Sequence, residues 1–347
     1  STPIKSSAAS DVYKRQISGT TVTFKAKSKN TTGNIRTTIA TITAGTGAAA
    51  KAVEVTVNQN VAAEGDASLE LSTNAVTITP DAVAKSEVIT MISNETEFAI
   101  NITDESWVKA YVDVTSKTLY FWTLSPNLNS SSRVTTATVI AGSGANAPKQ
   151  EVTITQRGLL SSEFAVGQVI ADNGSLKGGI VFWVNATNRG KAKIMSLDRE
   201  NLAWSTAGTP ASTGVDLSRD DGYTNTMALA ALPNASEMPA IKFCMDKGTG
   251  WYWSGRKDLE QMFETYNGTT VANATNDNPN AITDFEKANR AAWDRVVSNA
   301  GGTIMNEAVS SSTGDTYWAC REASNGVNGF YVRFGKPISW SLSLIHI

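Results

Sequence analysis

Period-two alternation of apolar and polar residues runs through the first half of the chain and gives way, near Phe164, to segments of helical period. Ile39, Ile42 and the series Val53, Val55, Val57 sit in short alternating runs separated by Gly- and Ala-rich turns, which is how half-buried strands read. Between Ala67 and Gly158 the same pattern predicts strands near Leu69–Leu71, Ala75–Ile78, Val88–Ile92, Phe98–Ile102, Val108–Val112, Leu119–Leu124, Thr135–Ile140 and Glu151–Gln156. So many short strands in so short a stretch predict an all-β, immunoglobulin-like sandwich.

After Phe164 the pattern is mixed. Gly178–Val184 reads as a buried strand, with a turn at Asn188-Arg189-Gly190 and a second strand at Ala192–Leu197. Glu237–Met245 predicts a helix with Pro239 in its first turn. Ser254 is expected to cap a helix over Lys257–Tyr266, where Leu259, Met262 and Phe263 share one face. Thr283 and Glu286 form a capping-box pattern for a helix running through Val297 and ending at Gly301. Strands are expected again at Thr316–Trp318 and Phe330–Phe334. The fold class expected is therefore multidomain, with β-sandwich modules followed by an α+β domain.

The sandwich pattern occurs twice. Thr21–Lys25 matches Thr118–Trp122, Arg36–Gly47 matches Arg133–Gly144, and Glu54–Gln59 matches Glu151–Gln156. All three blocks share one offset of about 97 residues, with roughly 17 identities in about 39 aligned positions and no gap, the mark of a duplicated module. The expected organisation is a truncated β module over residues 17–60, a complete one over 67–158 and the α+β domain over 164–340.

Composition changes the picture mainly by exclusion. With 41% hydrophobic and 18% charged residues the chain is globular in type, and its formal charge of -2 offers nothing to a nucleic-acid backbone. No apolar run approaches the ~18 residues that cross a bilayer. There is one histidine, His346, two positions from the end. Without it Ser-His-Asp and Cys-His catalysis and His-bearing zinc sites disappear. Cys244 and Cys320, far apart in sequence, are either a disulfide of an exported protein or two buried thiols. Asp220-Asp221 and the Asn273–Asn280 loop carry oxygens of the kind that hold calcium, but read as solvated turns. No metal or cofactor is expected.

Both ends depart from the neighbouring pattern. Ser6–Gln16 and Ser341–Ile347 resemble translated sequencing-adapter segments found at the ends of metagenomic reading frames, so residues 1–16 and 341–347 are set aside as scars, with a signal peptide expected to have been lost.

Two family resemblances follow from particular residues. Ser106-Trp107-Val108, Asn127, Arg133 and the closing Val152–Gln156 resemble the BACON module (Bacteroidetes-associated carbohydrate-binding often N-terminal), fully over Ala67–Gly158 and in half over Ile17–Gln59. Its name implies sugar binding, whereas Trp107 itself reads as core. Further on, Gly178–Trp183, Asp221–Thr226, Gly250–Leu259, Tyr317–Glu322 and Tyr331–Phe334 occur in order. Together they resemble the C-type-lectin-like fold of Legionella collagen-like-protein C-terminal and fibrobacter-type domains, distant relatives of formylglycine-generating enzymes. The chain departs from that pattern at Tyr252-Trp253-Ser254 and in an expected lack of the closing strand. The Glu-Pro-Asn and Trp-Asn-Asp tripeptides of calcium-dependent sugar binding are missing, as are closely spaced reactive cysteines.

The resemblance also directs attention to Arg321–Trp340. Diversity-generating retroelement targets of this fold present a variable C-terminal segment on a similar frame, which implies Arg321, Glu322, Asn325, Asn328, Phe330, Arg333 and Trp340 as ligand-binding positions. The functional expectation is a non-catalytic adhesion protein at a bacterial surface, outside the cell or on the outer membrane. In it, β-sandwich spacers present a lectin-like domain to a glycan, and a missing N-terminal anchor joins it to the membrane. The alternatives are a diversified receptor for a surface protein and an enzyme of carbohydrate metabolism.

Overall fold

The computed structural model describes residues 13–18, 21–26, 30, 34–44, 48, 50–60, 67–143, 146–174, 177–200, 202, 221–270, 282–304, 316–322, 328–333 and 339–344. The chain forms two compact units: Ser1–Glu70 with Ile92–Ala99 and Ile140–Lys149, and Leu71–Met91 with Ile100–Val139 and Gln150–Ile347.

The first copy of the repeat contributes two antiparallel hairpins, β1 (Tyr13–Ser18) with β2 (Thr21–Ala26), and β3 (Arg36–Ala44) with β4 (Lys51–Gln59). Tyr13–Gln16, set aside as scar, thus carry backbone pairing. In the second copy follow β5 (Glu70–Leu71), β6 (Ala75–Ile78), β7 (Ile89–Ile92), β8 (Phe98–Ile102), β9 (Val108–Asp113), β10 (Thr118–Thr123), β11 (Arg133–Ala141) and β12 (Lys149–Gln156). They form two four-stranded sheets, β5-β7-β10-β9 and β6-β12-β11-β8, as the alternation predicts for a sandwich. One face of each sheet is the core: Ile78, Ile89, Leu119, Phe121, Val139 and Ile154 are 0–1% exposed.

The residues that carry the first resemblance close one corner of this sandwich. Trp107 is buried, and the Arg133 guanidinium lies over its ring, 4.7 Å from the centroid. Arg133 Nε donates to Gln156 Oε1 at 2.7 Å and its Nη2 to Ser125 O at 2.8 Å. Asn127 Nδ2 donates to the carbonyls of Ser131, Gln156 and Arg157. Trp107 is therefore core, as expected, and belongs to a lock joining a loop to two strands.

The rest of the chain is α+β. It runs through β13 (Val169–Ile170), β14 (Gly179–Val184), β15 (Ala192–Ser196), α1 (Gly222–Ala230), α2 (Pro239–Met245), α3 (Arg256–Asn267), α4 (Asp284–Asn299), β16 (Thr316–Glu322), β17 (Asn328–Arg333) and β18 (Ser339–Leu344). Two small sheets result, β13-β14-β15 and β16-β17-β18. Gly178 and Gly179 relieve crowding as expected: a Cβ on either would lie 2.6 Å from Ile170 O or 2.5 Å from Met195 O. Helix α4 opens with the anticipated capping box, Thr283 Oγ1 accepting from Glu286 N and Glu286 Oε2 accepting from Thr283 N. The cap of α3 is Gly255 rather than Ser254, because Asp258 Oδ2 reaches back to Gly255 N at 2.9 Å. Strand β18 pairs antiparallel with β17, so a third strand stands where none was expected, and Ser341–Leu344 take part in it. His346 lies outside the described residues.

Helices α3 and α4 pack over β14 and β16 around Phe182, Leu259, Phe263, Tyr266 and Trp293, and Ala82 of the sandwich enters the same cluster. The complete module is thus joined to the domain that follows it by shared core packing. Phe285 at the start of α4 meets Tyr111, Tyr120 and Trp122 of β9 and β10 edge-on at 5.4–5.8 Å. Lys85 Nζ sits 4.1 Å from the Phe285 centroid and donates to Gly268 O at 2.7 Å. Beside them Asp81 Oδ1 accepts from Arg189 Nη2 at 2.7 Å and from Val166 N at 2.8 Å. Three aromatic contacts, a cation over a ring and an ion pair hold this joint together.

Candidate functional site

The segment singled out in the sequence, Arg321–Trp340, spans the end of β16, all of β17 and the start of β18. Arg321, Glu322, Asn328, Phe330, Arg333 and Trp340 are described through backbone pairing alone, and Asn325 lies outside the described residues. Glu322 pairs with Gly329, Val332 with Trp340 and Arg333 with Ser339. Register therefore puts Asn328, Phe330 and Trp340 at positions of one face and Arg333 at a position of the other, since strand positions alternate. A β-bulge between Trp318 and Glu322 shifts the pairing as β16 enters this segment.

Strand β16 is held from the side by α1 and by the Trp251–Gly255 segment. Asn225 Nδ2 donates to Cys320 O at 2.8 Å, and Cys320 N donates to Ser254 O at 2.9 Å. Helix α1 comes so close to this segment that a Cβ on Gly222 would lie 2.3 Å from Gly255 N. Its N-cap is Asp221, whose Oδ1 accepts from Thr224 N at 2.8 Å and whose Oδ2 accepts from Thr224 Oγ1 at 2.6 Å. Those bonds, with Lys193 nearby, hold the Asp221 carboxyl below the usual range. Asp221 is thus a helix cap rather than a solvated turn. Asp220 and the Asn273–Asn280 loop lie outside the described residues.

Next to this clamp the structure assembles a shelf that the sequence reading did not single out. Tyr223, on the first turn of α1, is 48% exposed and meets Tyr252 edge-on, with centroids 6.0 Å apart. Tyr252 OH donates to Asp258 Oδ1 at 3.2 Å, and its ionisation is pushed up by burial and by that carboxylate. Lys193 Nζ donates to Asp258 Oδ1 at 2.6 Å and to Gln261 Oε1 at 2.8 Å, and lies 5.4 Å from the Trp183 centroid. Both Asp258 oxygens are occupied, which leaves that carboxylate fixed in place. Lys193 uses two of its three N–H donors. Three aromatic rings flanking an ordered ammonium, amide and carboxylate make a surface suited to holding a polar ligand with an apolar face.

Trp251 and Trp253 are buried, as expected for core, whereas the Trp318 side chain lies outside the description. Cys244 and Cys320 are both free thiols in the structure, and Cys244 packs against the cluster that contains Cys320. Burial pushes their ionisation up to about 11 and about 12 respectively. Thiolate, the nucleophilic form, is correspondingly scarce at neutral pH. No helix among the described residues is long and apolar enough to cross a membrane.

No protein-family model matches the chain, and no curated protein does. Solved structures share local likeness only. The human desmocollin-1 ectodomain aligns at 11% identity and TM-score 0.26 over 44% of this chain and 32% of its own. A protein from Bacteroides thetaiotaomicron aligns at 14% identity and TM-score 0.21, over 29% of this chain and 97% of its own. An endo-fucoidan hydrolase of glycoside hydrolase family 107 aligns at 11% identity and TM-score 0.22, over 50% and 25%. The chain thus spans about a third of the ectodomain and a quarter of the hydrolase.

Proposed function

We propose that this chain is a non-catalytic binding protein of the cell surface, in which BACON-like sandwich modules support a C-type-lectin-like domain that captures a glycan. The observation that carries the reading is the shelf: a half-exposed Tyr223 set against Tyr252, beside Trp183, Lys193 and Gln261, adjoining the strand that leads into Arg321–Trp340. A sugar ring presents an apolar face to an aromatic ring and hydroxyls to fixed donors and acceptors, and both are in reach on this surface. The scarcity of thiolate and the full engagement of Asp258 support binding over catalysis. The joint at Phe285 suits a protein that transmits force between a ligand and whatever precedes it.

The test is a broad glycan array probed with the intact chain and with Tyr223→Ala. Tyr223 is exposed, so its loss should change stability by no more than about 0.5 kcal/mol. Binding to a defined sugar class that falls at least about tenfold in the variant is the expected result. An intact chain that binds no sugar on the array sinks the glycan reading. Capture of a protein ligand by the same chain would then favour the diversified receptor, for which β16, β17 and β18 supply a paired frame.

A further inference from the structure

The two cysteines of the chain, Cys244 and Cys320, lie far apart in sequence and are brought to one place by the fold. Cys320 is fully buried in β16 among Leu229, Met238, Ile241 and Trp253, and Cys244, in the last turn of α2, packs half-buried against the same cluster. The position of Cys320 is fixed from three directions. Its carbonyl accepts from Asn225 Nδ2 at 2.8 Å, its N–H donates to Ser254 O at 2.9 Å, and its Sγ lies 3.6 Å from Thr226 Oγ1. Helix α2 depends on this cluster for its place. It is seven residues long, and Met238 at its N-cap makes no side-chain cap bond. A helix so short does not persist by itself, so the burial of Ala240 and Ile241 beside Cys320 is what seats it. A covalent tie between the two sulfurs would add most at such a point.

We infer that Cys244 and Cys320 are a redox pair, joined into a disulfide by exchange with a small-molecule disulfide, and that the bond ties α2 to β16. The surface location proposed above supplies an oxidising setting, though the step itself needs only the two thiols and the oxidant. It runs as two exchanges. Cys244, the more exposed of the pair, loses its proton to solvent and attacks one sulfur of the oxidant. A mixed disulfide forms, and the other half of the oxidant leaves as a thiolate. Cys320 Sγ, giving up its own proton, then attacks Cys244 Sγ; the Sγ–Sγ bond forms and the second half of the oxidant leaves. Two protein thiols are oxidised, and the two electrons and two protons they lose appear in two small thiols. Burial keeps both thiols protonated at neutral pH, so the exchange is slow once the chain has folded and belongs to the folding stage. The finished bond fixes α2 against the strand that runs on into Arg321.

Refolding the intact chain from urea in a buffer of reduced and oxidised glutathione, followed by peptide mapping without reductant, tests this. The expected product is a single chain lighter by two hydrogens, with the peptides carrying Cys244 and Cys320 linked to each other. Its urea midpoint should lie about 1 M above that of the reduced chain and return to it on reduction. Cys244→Ser should show one midpoint in both buffers. A refolded chain with both thiols free overturns the proposal, as does one that keeps glutathione on Cys244 or links Cys244 to a second chain. A linked chain whose midpoint is unchanged or lower overturns it too, because the bond then strains α2 away from β16 instead of tying them.

Discussion

Asn30 and Asn127 occupy the same place in the two copies of the repeat and donate to corresponding carbonyls, yet the cores beside them are buried to different degrees. Asn30 Nδ2 donates to Asn34 O at 2.7 Å and Gln59 O at 3.0 Å; Asn127 Nδ2 donates to Ser131 O at 2.9 Å and Gln156 O at 3.3 Å. Both asparagines are at most 3% exposed. The corner is thus encoded locally, by an amide that ties its own loop to the end of the last strand. Core burial is not local. Phe121 is fully buried, and its counterpart Phe24 is only half-buried. The two copies thus share the corner bonds while the burial of their cores differs.

The largest effect should come from the core. Phe121→Ala removes a fully buried ring and is expected to cost about 3–5 kcal/mol, read as a lower midpoint in urea unfolding. Phe24→Ala should cost about 1 kcal/mol or less, since its ring is already partly in water. Equal losses would break the comparison by showing the first core to be closed in solution.

The corner should behave differently. Asn127→Ala strands the Ser131, Gln156 and Arg157 carbonyls and Asn30→Ala those of Asn34 and Gln59, at about 1–3 kcal/mol for each substitution. The two costs should therefore lie within about 1 kcal/mol of each other, unlike the phenylalanine pair. Hydrogen exchange of peptides spanning Asn30 and Asn127 reads this directly. Faster exchange around Asn127 alone would mean that the first corner is not held by its asparagine.

How far this was legible in the sequence follows the same division. The alternation located all eight strands of the complete module, and the Trp107, Asn127, Arg133, Gln156 order marked the corner, because both are properties of short stretches or of a repeat. The joint was not legible. Its sign was in β10, where Leu119 and Phe121 face the core while Tyr120 and Trp122 between and after them are aromatic; a run of four large nonpolar or aromatic residues marks a strand covered on both sides. The shelf was missed for a related reason. Asp221 with Thr224 is a cap signal that was read as a turn, and nothing near Tyr223 announces Tyr252 or Lys193 as partners, because helix placement brings them together.

The smallest effect tests what Trp107 adds to the corner. Arg133 makes a fork that lysine cannot reproduce: Nε to Gln156 Oε1, Nη2 to Ser125 O and Oγ, and a planar face over the indole. Arg133→Lys keeps the charge and one donor, and should cost about 1 kcal/mol in urea unfolding. If Arg133→Lys costs less than about 0.5 kcal/mol, the indole beneath Arg133 contributes packing to the core without holding the cation.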